Sequence, residues 1–463
     1  MIEFNEKIPK VEAVGEWVND RINHQVYAVG QRIPSVRALA KKLNVSPFTV
    51  TQAYESLVAN GRIEARRGSG YFVSQMMSVT TKVSKVYEDK PVDTEWLMEH
   101  LFSEKTYLSH TGSGLLPKSC LKFERLPTIT RKVAGNIHQF SYEHSDIRGY
   151  LALRKHYSRL LNTVGVIAGS DELLTGDGVS SLLTLTTQYL LQPGDAVIVD
   201  NPCWFWLMGN LQAQGLRVFG VERDEQGPNI DQLHHYFKTE NATLYLTNSV
   251  LQNPTSFNIH PSRAYQVINL LHDFGAYILE DDIYRAFDSD APALRYAALD
   301  RSRVFYTTGV SKEFGGNWRQ GVLCGPEEHH ERLIKHKMLT QMNSPEFSER
   351  LVYSMLTDVS YRKHIGGLRQ LLNESHEKMR ELLPQYGFTY PVITNIGIFL
   401  WLDTGCDSAQ LAMAAHKLDY LVAPGQLFSP RQSPSTHIRI NVARTDETFL
   451  QWLSIYAKTH RVR

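Results

Sequence analysis

The stretch Phe305–Gly325, FYTTGVSKEFGGNWRQGVLCG, sets Lys312 seven residues before Arg319, between two apolar runs that read as strands. A lysine held in such a turn can offer its amine to an aldehyde. Ser311 and Arg319 are spaced to hold a dianionic phosphate, the serine by its hydroxyl and the arginine as a planar fork. A serine-lysine pair near an arginine is also common in solvated loops, so the run takes its meaning from its surroundings.

Upstream, the apolar run Ala276-Tyr277-Ile278-Leu279 ends in Glu280-Asp281-Asp282-Ile283-Tyr284, the pattern of a buried strand delivering acids at its carboxyl end. An amine, a phosphate holder and a strand-end carboxylate are the groups a pyridoxal 5'-phosphate (PLP) site needs, the carboxylate to pair with its ring nitrogen. Asp281 is the expected partner of the ring nitrogen. Tyr284 and Asn253, in Leu251-Gln252-Asn253-Pro254-Thr255, are expected to hydrogen-bond the ring phenolate oxygen. Taken singly, strand-end acids cap helices and Asn-Pro marks turns; in this order the segments make a site. Gly176-Asp177-Gly178-Val179-Ser180 precedes an apolar helical run, so Gly178, Val179 and Ser180 would turn backbone N–H groups toward a phosphate. Trp204, after the turn Gln192-Pro193-Gly194-Asp195 and the strand-like run Ala196–Val199, is placed to stack on the ring, although an indole there is more often plain core. Arg439 leaves the apolar face of the alternating run His437–Val442 and suits a substrate carboxylate.

From about residue 105 to 460 the chain resembles the fold type I, aspartate-aminotransferase-like proteins, through Gly149 with Leu153-Arg154, Pro193-Gly194-Asp195, Asn253-Pro254, Asp281 with Tyr284, Lys312 with Arg319, and Arg439. The resemblance implies that Lys312 is the Schiff-base lysine, Asp281 the pyridinium partner, Asn253 and Tyr284 the phenolate ligands, and Arg439 the binder of an α-carboxylate. Gly178, Val179, Ser180, Ser311 and Arg319 would form the phosphate cup. Two departures stand out. Ser256 follows Asn-Pro-Thr where the family usually has glycine, and His144 stands where a tyrosine normally reaches the neighbouring subunit's phosphate. Either Tyr142 takes that tyrosine's place through a shifted loop, or the contact is lost.

The first 74 residues follow a different pattern. Val36, Leu39, Ala40 and Leu43, then Val50, Ala53, Tyr54 and Leu57, fall at the i, i+3, i+4, i+7 spacing of two amphipathic helices. Between them Ser46 is a good N-cap and Pro47 a good first helical residue, which makes a helix-turn-helix. Its second helix would expose Phe48, Thr49, Thr51, Gln52 and Glu55, and its first would bring Ser35 and Arg37 to the same side. Arg62–Val73 reads as two short strands around a glycine turn, a wing whose Arg62, Arg66, Arg67 and Gly68 meet phosphate or the minor groove. The strings Ile33-Pro34-Ser35-Val36-Arg37, Val45-Ser46, Ala53-Tyr54 and Gly68–Val73 resemble the GntR family of winged-helix repressors, apart from Pro47, where most members carry arginine.

A GntR-like head on an aminotransferase-like body resembles the MocR subfamily of transcriptional regulators. The expected organisation is a winged helix-turn-helix over 1–74, a polar linker over 75–107, and a PLP-binding body over 108–463. That body is expected to be α/β, a mostly parallel sheet with helices on both faces, followed by a small C-terminal α+β lobe. The resemblance implies a head-to-tail homodimer, a double-stranded DNA operator with two half-sites, and a small amino compound, or PLP itself, as effector.

Composition sets bounds. A chain of 463 residues that is 42% hydrophobic supports two or three domains. The formal net charge of +1 argues nothing about nucleic acid, so the DNA expectation rests on the local arginines. Cys120, Cys203, Cys324 and Cys406 lack the spacing of a zinc site or a disulfide framework, and the 18 histidines show no metal-ligand clustering, so no metal is expected. The charged start MIEFNEKIPK and the absence of an eighteen-residue apolar run point to a cytoplasmic protein away from membranes. Three readings compete: a regulator sensing PLP or an amine that reacts with it, a working aminotransferase with a DNA-binding appendage, and a DNA-binding protein whose body has lost PLP. The intact set of site residues argues against the third. The fused head, Ser256 and His144 argue for weak or absent transamination.

Overall fold

The computed structural model describes residues 9–23, 26–66, 68–74, 92–103, 107–288, 291–393 and 396–462. The chain divides into two compact units, 1–90 and 91–463.

In the first unit, α1 (Lys10–Asn23), α2 (Val36–Leu43) and α3 (Pro47–Ala59) close over a core of Val14, Val18, Leu39, Val50, Tyr54 and Leu57. The turn between α2 and α3 is fixed by local chemistry. Asn44 takes a left-handed conformation (φ 55°), which ends α2, and Ser46 accepts the Thr49 N–H at 3.0 Å, which starts α3 behind Pro47. The Tyr54 hydroxyl donates to the Pro34 carbonyl (2.8 Å), pinning α3 to the entry of α2. Strands β1 (Ile63–Arg66) and β2 (Gly70–Val73) pair antiparallel as the expected wing. The expectation of two helices omitted α1, whose Val14, Val18 and Ile22 keep helical spacing and fill the same core.

The second unit holds an eight-stranded sheet built from β3 (Leu174–Gly176), β4 (Ala196–Asn201), β5 (Arg217–Asp224), β6 (Gly227–Pro228), β7 (Leu244–Thr247), β8 (Tyr277–Asp281), β9 (Val304–Gly309) and β10 (Gly321–Cys324). Their spatial order is β3-β10-β9-β8-β7-β4-β5-β6. The five strands β9-β8-β7-β4-β5 run parallel, and β3, β10 and β6 are antiparallel to their neighbours. Every residue of β7 and β9 is buried, as a sheet covered on both faces requires. A smaller antiparallel sheet, β11 (Phe399–Asp403), β12 (Ala423–Pro424) and β13 (His437–Asn441), in the order β11-β13-β12, forms the C-terminal lobe. The mostly parallel sheet and the α+β lobe match expectation.

The segment 75–107 is not all linker. Within it α4 (Thr94–Leu101) is capped by Asp93, which accepts the Trp96 N–H at 2.7 Å, and its Leu97 is fully buried in the core of the body. The Gln426 side chain donates to the Val92 carbonyl at 3.1 Å. The polar composition of this segment masked a short amphipathic helix that the body uses as packing.

Candidate functional site

The carboxyl ends of β3, β4, β7, β8 and β9 lead respectively into Gly178, Trp204, Asn253, Asp281 with Tyr284, and Ser311 with Lys312. Open α/β sheets bind ligands at such ends. The three consecutive acids at the end of β8 have separate fates. Glu280 accepts the Ser249 hydroxyl and the backbone N–H groups of Tyr296 and Ala297 (3.0 and 2.9 Å), which caps the following helix. Asp282 accepts from the Arg295 guanidinium at 3.0 Å and from the Tyr306 hydroxyl at 2.6 Å. Asp281, 5% exposed, neither caps that helix nor enters an ion pair among the described residues; its carboxylate accepts the Ile283 N–H at 3.0 Å. Burial pushes its pKa up to about 7, against the pull of that N–H and of Lys312. A carboxylate in this state gains from a protonated ring nitrogen.

Lys312 lies in the short helix Ser311–Phe314 and donates to the Gly114 carbonyl at 2.8 Å. Burial, and then the charge of Arg439, lower its pKa to about 8, with Asp281 opposing. An amine in that range is available as a nucleophile near neutral pH. The Tyr284 ring lies 5.5 Å from its Nζ, and the Asn253 side-chain amide donates to the Tyr284 hydroxyl at 3.2 Å.

Arg439, on β13, is 1% exposed and has no acid partner among the described residues. It donates from Nη1 to Asn253 Oδ1 (2.9 Å) and from Nη2 to the Gly112 carbonyl (2.6 Å), while its buried Nε has no partner. Its guanidinium carbon lies 4.3 Å from the Phe399 ring centre and 5.1 Å from that of Phe428. Burial lowers its pKa to about 10. A buried cation with only neutral acceptors invites an anion.

The Arg319 guanidinium donates to Ser180 Oγ at 2.6 Å beside the first turn of the helix Val179–Leu190, which no side chain caps. Gly178 has φ 83°, and a Cβ there would come within 3.2 Å of the Arg319 guanidinium carbon. Free N–H groups, the helix dipole and an arginine thus face one spot. The Ser311 hydroxyl donates to the Trp318 carbonyl at 3.2 Å. Trp204 stacks on Trp206, ring centres 4.8 Å apart, and no described contact joins it to Lys312 or Asp281. These residues fit PLP: the uncapped turn with Arg319 suits a phosphate, Asp281 a ring nitrogen, and the orphaned Arg439 Nε a carboxylate on the compound that reacts.

Two supports were not visible in the sequence. The loop Gly112–Gly114 supplies carbonyls to both Arg439 and Lys312, and a Cβ on Gly114 would lie 3.5 Å from the Lys312 amine. Behind the lysine, Glu313 accepts from Arg285 (3.2 Å) and from the Tyr361 hydroxyl (2.7 Å), tying the residue after Lys312 to the residue after Tyr284. Chemistry gave no signal for either, because each pairing is long-range. Ser256 has φ 60°, which explains a preference for glycine there, and its hydroxyl donates to the Phe399 carbonyl at 2.9 Å. Tyr142 is 76% exposed and its hydroxyl pairs with His138 Nδ1 at 3.0 Å.

In the head, Phe48 is 68% exposed, and Ser35, Arg37, Ser46, Gln52 and Gly68 are exposed with it. The Thr49 hydroxyl shares a 2.8 Å hydrogen bond with Ser46, whereas Phe48, Gln52 and Glu55 leave exposed side chains on α3. Arg62 donates to Asn19 Oδ1 at 2.7 Å and therefore braces the wing against α1, where a phosphate contact was expected. Arg66 is exposed but lies over Phe72 (4.3 Å) and pairs with Glu64; an exposed pair of this kind is weak and exchangeable. Arg67 lies outside the described residues.

Residues 123–453 match the family described as Aminotransferase class I and II, and residues 10–73 match Bacterial regulatory proteins, gntR family. The HTH-type transcriptional regulator YdfD of Bacillus subtilis is 28% identical over 80% of this chain and 79% of its own length. YdcR of Escherichia coli, also an HTH-type transcriptional regulator, is 26% identical over 94% of this chain and 95% of its own. Among solved structures, the α-aminoadipate aminotransferase LysN of Thermus thermophilus superposes with a TM-score of 0.69 at 20% identity, covering 78% of this chain and 94% of that one. The chain belongs to the aminotransferase class I and II family and carries a GntR-type helix-turn-helix in front of that domain, which is the architecture of MocR regulators.

Proposed function

We propose that this protein is a PLP-binding transcription regulator whose body senses PLP, or an amino compound that reacts with it, and whose head carries the result to DNA. Bound PLP supplies an aldehyde open to amines and an electron-withdrawing ring. Lys312 would hold it through its amine, Asp281 would keep the ring nitrogen charged, and Asn253 with Tyr284 would donate to the ring oxygen. Arg319, Ser180, Ser311 and the first turn at Gly178 and Val179 would hold the phosphate, and Trp204 would supply an aromatic face for the ring. Arg439 selects compounds that carry a carboxylate. The observation that carries this reading is the buried, acid-free Arg439 joined through Asn253 to Tyr284, next to the lowered amine of Lys312.

The head reads DNA through Arg37, Phe48, Thr49 and Gln52, oriented by the caps Ser35 and Ser46, with Arg66, Arg67 and Gly68 of the wing on the backbone. A head-to-tail homodimer would present two heads to two half-sites from the cytoplasm. Among the described residues no helix is long and apolar enough to cross a membrane, and no group of His, Cys, Asp or Glu forms a metal site. Domain limits of 1–74 for the head and 108–463 for the cofactor-binding body, with α4 as an extension of the body, fit this division of labour. The intact lysine, Asp281 and Arg439 would also serve the first step of transamination, which keeps an active aminotransferase as the second reading. The test is operator binding with and without PLP and a panel of amino compounds, beside turnover with amino and keto acids. Equal operator affinity in every state would overturn sensing, and turnover near the ~10 per second typical of enzymes would favour the second reading.

A further inference from the structure

A cavity of about 350 Å³ lies apart from the cofactor site, behind the turn that carries Lys312. That is within the size range of small-ligand sites. One wall is the chain from Cys120 to Glu124, and the other is the start of the helix Tyr361–Gln385.

Two features of this wall face solvent. Gly366 and Gly367 are adjacent in the interior of the helix, and a Cβ on either would meet nothing within 4 Å. Glycine weakens a helix interior relative to alanine, so its presence normally reflects crowding. Here both glycines are exposed, and Gly367 lines the cavity. Lys122 and Lys363 also line it, and neither enters an ion pair among the described residues. The single acid in the lining is Glu124; nearby Asp358 is already engaged by Arg125 (3.1 Å) and by Ser360. The apolar part is Phe123, edge-on to His364 with ring centres 5.4 Å apart, together with Leu368 and Leu371. His364 donates from Nε2 to the Glu313 carbonyl at 2.8 Å and stacks on Phe314, so the floor of the cavity rests on the two residues that follow Lys312.

We infer that this cavity is a second ligand site, for a small organic anion whose carboxylate or phosphate meets Lys122 and Lys363 and whose flat apolar body lies against Phe123 and His364. It is independent of the reading of Lys312, and it adds a place where a metabolite other than the one held at Arg439 can act on the protein.

Cys120 lines the cavity and is half-buried, whereas Cys203, Cys324 and Cys406 are 4%, 2% and 0% exposed, so Cys120 is the thiol a small alkylating reagent reaches first. The full-length protein would be alkylated with iodoacetamide in the presence of benzoate or of phenyl phosphate, the pair separating carboxylate from phosphate preference. Saturable slowing of Cys120 modification by one of them, at least about tenfold, is expected at millimolar probe. Gly367→Leu, a helix-favouring change, should abolish the slowing, and Lys122→Ala with Lys363→Ala should weaken it about tenfold. Arg319→Ala should leave it intact, which separates this site from the phosphate cup. Absence of protection by either probe, or equal protection in Gly367→Leu, would overturn the proposal.

Discussion

Replacing Arg439 by leucine tests the assignment of the site most directly, because the size of the effect can be worked from burial. The guanidinium is 1% exposed, has no acid partner among the described residues, and has its pKa lowered to about 10. Departure from the ordinary guanidinium value of ~12.5 represents roughly 3 kcal/mol of unfavourable charge burial. A carboxylate that pairs with it can recover about that much, equivalent to a few hundredfold in affinity. The assay compares an amino acid with the amine left by its decarboxylation, each titrated into cofactor-loaded protein and followed by absorbance. Wild type should prefer the amino acid by about 10² to 10³, and Arg439→Leu should lose most of that preference while binding the amine nearly as before. The unliganded variant should still fold, since leucine removes a buried charge and packs beside Phe399 and Phe428, which offsets the loss of a donor to Asn253 Oδ1 and the Gly112 carbonyl. Undiminished preference in Arg439→Leu would refute the role, as would equal loss for amine and amino acid, which would mean the arginine only shapes the pocket.

The remaining predictions concern the lysine, the head and the body. Lys312→Ala should lose borohydride-trapped cofactor yet keep operator binding; in wild type the rate of cofactor attachment should rise as pH passes through about 8, because the neutral amine reacts, and Arg439→Leu should move that midpoint upward by removing a neighbouring positive charge. A midpoint unmoved by the substitution would mean that Arg439 does not act on the amine. Arg37→Ala should weaken operator binding, and reduce the salt dependence of log K by about one, without changing cofactor content; filter binding across a salt series reads both. Leu97→Ala should lower the stability of the body by roughly 2–5 kcal/mol, measured by denaturant unfolding followed at the body's tryptophans, whereas a true linker residue would leave it unchanged.

What could be read in advance was whatever the chain writes locally. Lys312 and Arg319 sit on one short turn, the strand before Asp281 is an unbroken apolar run, and Ser46-Pro47 starts a helix in any context. Asp281 was chosen from its place at the strand end, but the reason its neighbours are otherwise engaged lies in partners distant in the chain, at residues 249, 295 and 306; sheet order was likewise beyond local reading. Arg62 and Arg66 looked alike as wing cations; only the fold sends one to Asn19 and the other to the surface over Phe72. Helix α4 was missed for a different reason. Its cap Asp93 and its Trp96, Leu97 and Leu101 were present, but eight residues amid a polar stretch give too little periodicity to outweigh composition.

The division of labour among Glu280, Asp281 and Asp282 bears on how this chain can drift over generations. Glu280 and Asp282 are retained by folding, because their removal uncaps a helix start and takes one of two acids from a buried arginine. Asp281 satisfies a single backbone N–H, that of Ile283, so on the proposed reading its guest is the stronger reason for its retention. In a lineage that abandoned the cofactor, substitutions would accumulate at position 281 while its two neighbours stayed fixed, so that a single site flanked by invariant acids would record when the ligand was lost.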